Sequence, residues 1–84
     1  MAQMNEQSIA LMKALISVIA RNDELRSNIS TTLEDGMCKF FSHAALVMIA
    51  THSSEVFVQP TNGAVRTLDV AETSAEALIA QLVE

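Results

Sequence analysis

Asn62-Gly63 sits between two apolar runs, Val56-Phe57-Val58-Gln59 and Ala64-Val65-Arg66-Thr67-Leu68, and so commits this part of the chain to an antiparallel hairpin. Tight hairpin turns need positive φ at their central residues, and Asn and Gly reach that region at the lowest steric cost. Two registers compete. With Asn62 and Gly63 as the two central residues, Phe57 faces Leu68 and Val58 faces Thr67. A four-residue loop instead sets Val58 opposite Val65, gathering Val56, Val58 and Val65 on one face, and apolar patterning favours this second register. Pro60 has no N–H for a ladder, which suits a strand end.

The N-terminal half has a different period. From Ser8 to Arg21, residues Ile9, Leu11, Met12, Leu15, Ile16, Val18 and Ile19 fall at 100° spacing and cover about half of a helix circumference. A stripe that wide suits a core-facing helix, or one that packs its own domain on one flank and a second subunit on the other. Residues 1–6 precede the stripe and are expected to lack fixed structure.

Asn22 is an N-cap, and Asp23 and Glu24 put negative charge where the first turn favours it. Leu25, Ile29, Leu33, Met37, Phe40 or Phe41, and Ala44 then recur every three to four residues, which predicts a second helix from Asp23 to about Ser42, running through Gly36. Thr31-Thr32-Leu33-Glu34 is itself a capping box that would restart a helix after a kink. Ala44 to Ala50 is apolar throughout and reads as helix or strand by period alone. Extending the second helix that far would make it roughly 42 Å long, so a strand from about Ala45 to Thr51, turning at His52-Ser53-Ser54, is the more compact solution.

Asp69-Val70-Ala71-Glu72 and Thr73-Ser74-Ala75-Glu76 are consecutive capping boxes that open a last helix near Asp69 or Thr73, with Leu78, Ile79, Leu82 and Val83 as its stripe. The expected fold is α+β over residues 1–84 as a single domain: two N-terminal helices, a small antiparallel sheet of two or three strands, and a C-terminal helix.

Charge narrows the function classes. The net charge is −5. Residues 1–39 balance Lys13, Arg21, Arg26 and Lys39 against five acids, whereas residues 40–84 set Arg66 alone against Glu55, Asp69, Glu72, Glu76 and Glu84. A phosphate backbone is repelled by that half, and with no Trp or Tyr there is no stacking platform for single strands, so direct nucleic-acid binding is not expected. The longest apolar run is seven residues, against about 20 for a spanning helix. The first residues lack the basic stretch of a secretion signal, and one cysteine forms no internal disulfide, so a cytoplasmic chain is expected, without membrane insertion.

Chemistry-bearing residues are few. Cys38 and His43 are five apart, which is neither a zinc Cys-x2-Cys spacing nor the one-face pair of a helical metal site. Two glycines, Gly36 and Gly63, make no phosphate-binding loop, so no cofactor or metal is expected. What remains is a surplus of apolar residues, half of the chain, in a domain small enough to bury only roughly 60–65% of its unfolded surface. The leading expectation is a small acidic interaction protein, a homodimer that binds and modulates a larger protein. Its interface is expected at Leu11, Leu15 and Val18 on the first helix, with Glu72 and Glu76 toward the partner. Two alternatives belong to other classes: a nucleic-acid mimic displaying Glu55, Asp69, Glu72 and Glu76 to a basic partner, and an enzymatic or small-molecule module built on Cys38, His43 and His52.

Overall fold

The computed structural model describes residues 3–84. Elements follow the order α1 (Glu6–Ala20), α2 (Asp23–Asn28), β1 (Ser30–Glu34), β2 (Met37–Phe41), β3 (Ala45–Ala50), β4 (Glu55–Pro60), β5 (Arg66–Asp69), a 3-10 turn at Val70–Glu72, and α3 (Ala75–Val83). All five strands pair antiparallel with their sequence neighbours in the order β1-β2-β3-β4-β5. The fold is α+β, with a sheet larger than the two or three strands expected.

Local chemistry sets the boundaries. Asn5 caps α1 by accepting from the Ser8 N–H at 3.0 Å, and Asn22 caps α2 by accepting from the Leu25 N–H at 3.1 Å. Residues 1 and 2, part of the stretch expected to lack structure, lie outside the described residues; within that stretch, the Asn5 N–H donates to the Thr51 carbonyl at 2.6 Å. The 3-10 turn is capped by Asp69, and α3 by Ser74, one residue later than Thr73.

The long second helix is corrected. Helix α2 stops at Asn28, and residues 30–41 form the hairpin β1–β2. Its turn is Asp35-Gly36, enclosed by the pair Glu34 and Met37, with φ of 54° and 74°. Positive φ at both central residues is the two-residue hairpin geometry, matched to the right-handed twist of strands. The β-branched residues Ile29, Thr31 and Thr32 favour extended backbone, so the helical spacing of Leu33, Met37 and Phe40 has no helix to serve.

The strand expected at Ala45–Thr51 is present as β3, and alternates between buried and half-buried positions. The hairpin at Asn62-Gly63 is also present, with a register between the two expected: Val56 opposes Leu68, Phe57 opposes Thr67 and Val58 opposes Arg66. Residues 61–65 form the loop. An odd loop places Leu68 on the buried face opposite Val56 and leaves Val65 exposed, whereas a slip of one residue either way turns Leu68 to the other face.

Helices α1 and α3 lie together on one face of the sheet, both against β3. Leu11, Met12, Leu15 and Ile19 of α1, and Leu78 and Leu82 of α3, form one cluster with Cys38, Phe40, Val47, Ile49, Val56 and Val58 of the sheet. The described residues thus form two layers, and among them no helix lies over the second face of the sheet.

Candidate interaction surface

Cross-strand partners share a face, so the register assigns every strand side chain. Cys38, Phe40, Val47, Ile49, Val56 and Val58 point to the helices and are fully buried. Their neighbours Met37, Lys39, Phe41, Leu46, Met48 and Phe57 point the other way. Phe41 opposes Leu46, and Met48 opposes both Lys39 and Phe57, so the apolar members form a contiguous patch across β2, β3 and β4. Phe41 is 43% exposed; Met37, Leu46, Met48 and Phe57 are half-buried by one another without any covering layer. Glu34, Glu55 and Asp69 stand at the margins of this face, and Lys39 is the cation within it.

A second apolar feature lies at the other side of β1. Helix α1 covers the middle of the sheet and leaves a groove of about 360 Å³ between itself and β1, walled by Met4, Ile9, Ile16 and Leu33, with Met12 and Cys38 as its floor. Leu33 is 66% exposed, and every residue of β1 is exposed.

The residues expected at an interface lie in α1, the 3-10 turn and α3. Leu11 and Leu15 are buried inside the subunit, Leu15 completely, and Val18 is half-buried. Glu72 and Glu76 are exposed, in the 3-10 turn and the first turn of α3. Glu55 and Asp69 are cross-strand partners, which sets like charges opposite each other; the Asp69 carboxylate also accepts from the Ala71 N–H at 2.8 Å.

Cys38, His43 and His52 do not converge. Cys38 is in the core, and its burial pushes the thiol above its ordinary value, away from the nucleophilic thiolate. His43 and His52 sit in the turns at opposite ends of β3, roughly 20 Å apart at the rise of a strand. Among the described residues, no three His, Cys, Asp or Glu side chains come together as a metal site, and no helix is long and apolar enough to cross a membrane.

The outer-face patch escapes a helical reading of residues 23–42. Its signal is the period of two in Met37, Lys39, Phe41 and in Leu46, Met48, visible only once both segments are taken as strands. No family model matches the chain, and neither do any curated protein or solved structure.

Proposed function

We propose that this chain is a small acidic interaction protein that self-associates and binds and modulates a larger protein, with the outer face of the sheet as the partner-binding surface. The observation that carries this reading is the contiguous patch of Phe41, Leu46, Met48 and Phe57 on a sheet that has helices on its other side only. An apolar sheet face without a covering layer is the surface whose burial yields most on association, at roughly 25 cal/mol per Å². The acidic margin Glu34, Glu55 and Asp69 selects a partner whose own apolar patch is rimmed by Lys and Arg.

Capture from the source organism with wild-type and Met48→Lys baits tests this reading. A partner retained by the wild type and lost with Met48→Lys, at equal thermal stability of the two baits, supports it. Identical captures with both baits overturn it.

The opposed pair Glu55 and Asp69 favours one second reading, mimicry of a phosphate backbone toward a basic partner. The two readings separate on salt. Mimicry loses affinity steeply between low and high ionic strength, whereas an apolar contact with a charged rim loses little.

A further inference from the structure

We propose that a second copy of this chain pairs antiparallel with β1, joining two five-stranded sheets edge to edge about Thr32. The inference deepens the self-association in the reading above and rests on it. An edge strand presents a row of unpaired N–H and C=O groups, and edges that stay unpaired usually carry Lys, Pro or a bulge. Strand β1, Ser-Thr-Thr-Leu-Glu, carries none of these within a regular five-residue ladder to β2.

Charge decides which edge a second copy takes. Two chains of net charge −5 repel one another except where local charge is balanced. The β5 edge is the more acidic one: Asp69 lies on it, Glu55 is directly beside it, and Glu72 and Glu76 follow, against Arg66 alone, whose guanidinium donates to the Gln81 side chain. At the β1 edge, Lys39 stands one strand in, opposite Thr32, and Lys13 lines the groove beside Leu33.

Antiparallel pairing about Thr32 is self-complementary. Thr32 meets Thr32, Thr31 meets Leu33, and Ser30 of each copy meets Glu34 of the other, so no like charges oppose each other. The acidic end of one β1, Glu34-Asp35, comes to the end of the other that follows α2, where the Arg26 guanidinium is already paired with Asp23 and where the directly opposed residue, Ser30, is neutral. On the helix side, the two Leu33 side chains become diagonal neighbours, about 7 Å apart along the backbone. Each then closes the apolar groove walled by Ile16 and Met4. The outer faces of the two sheets become continuous.

Sedimentation equilibrium at low salt on wild type, Ser30→Glu, Ser30→Lys and the exchange Ser30→Glu/Glu34→Lys tests the pairing. Each dimer contains the Ser30 and Glu34 contact twice, so Ser30→Glu weakens dimerisation about fivefold, and Ser30→Lys and the exchange strengthen it by a similar factor. Gln59→Lys, the same charge change on the outer face away from β1, controls for net charge and leaves the dimer within about twofold of wild type. A wild type that stays monomeric up to 100-fold above about 1 μM overturns the pairing. A dimer indifferent to the Ser30 variants also overturns it, and dissociation by Met48→Lys instead would put the second copy on the outer face. A monomer that still captures its partner in a Met48-dependent manner sinks the β1 pairing and the self-association with it but spares the binding of a larger protein; a β1 dimer with no such partner does the reverse.

Discussion

The hydroxyl of Ser8, itself fully buried, donates to the carbonyl of the half-buried Ser53, a link between the first turn of α1 and the turn that joins β3 to β4. With the Asn5 N–H on the Thr51 carbonyl, it fixes where α1 enters the helical layer. The same turn receives the Val70 N–H on the Ser54 carbonyl at 2.8 Å, so both ends of the helical layer register against residues 51–54.

Ser8→Ala removes the donor and leaves the Ser53 carbonyl without that partner, at a cost of about 1–3 kcal/mol. Urea unfolding followed by circular dichroism is expected to show a lower midpoint with an unchanged slope. An unaltered midpoint would mean that the link carries no net stability.

Gly36 holds φ +74°, and a Cβ built there lies 2.9 Å from the Thr51 Oγ1. Gly36→Ala therefore meets both a backbone conformation that L residues resist and a contact too close to keep, and about 1–3 kcal/mol of destabilisation is expected. The contact is separable from the backbone effect. Thr51 Oγ1 is buried without a hydrogen-bond partner among the described residues, so Thr51→Ala strands no acceptor or donor there and relieves the clash. The double variant Gly36→Ala/Thr51→Ala should be less destabilised than the sum of its parts, as a thermal-melt cycle measures. Strict additivity would assign the whole cost to the backbone.

These two glycine turns show what was legible in the sequence. The Asn62-Gly63 dipeptide announces a hairpin that is present, yet among the described residues the positive φ values belong to Asp35 and Gly36. The Asp35-Gly36 pair carries the same signal and is masked by a coincidence of spacing, because Leu25, Ile29, Leu33, Met37 and Phe40 satisfy a helical period while the last three lie on strands. In β1 and β2 the deciding preference is that of Thr31, Thr32 and Phe41 for extended backbone, stabilised by the pairing of β1 with β2 and of β2 with β3, the second a contact between segments that a local pattern does not contain. The width of the α1 stripe points to surplus surface at Leu11, Leu15 and Val18; the sheet is larger than expected and buries Leu11 and Leu15. Its own second face holds the apolar patch instead, and that patch follows from the register alone.

Leu15 and Met48 consequently respond in opposite ways to a charge. Leu15 has no exposure, and Leu15→Glu buries a carboxylate in the centre of the core, which costs several kcal/mol out of a total stability of about 5–15 kcal/mol. Loss of the cooperative thermal transition is expected. Met48→Lys places the charge on the open face between Phe57 and Lys39, where the lysine head reaches water and only the like charge opposite opposes it, and lowers stability by about 1 kcal/mol at most. A folded Leu15→Glu protein would mean that α1 does not seat on the sheet as described.

Cys38 gives a pH dependence with a definite sign. Burial disfavours the thiolate, so the folded thiol titrates above its ordinary value of 9.0 and the unfolded chain releases this proton first. Below the ordinary value both states keep the proton, and the thiol contributes no slope. Above it the unfolded state binds fewer protons than the folded state, so stability falls as pH rises through that region. Chemical denaturation between pH 7 and pH 10.5 is expected to show this decline, and Cys38→Ala should flatten it while lowering stability at every pH through the small void it leaves. A thiol reagent at pH 8 should label the folded protein slowly and the urea-unfolded protein at the rate of a free thiol. Equal labelling rates in the two states would show that Cys38 reaches solvent through the groove beside Leu33, and the alkaline decline would then belong to another group.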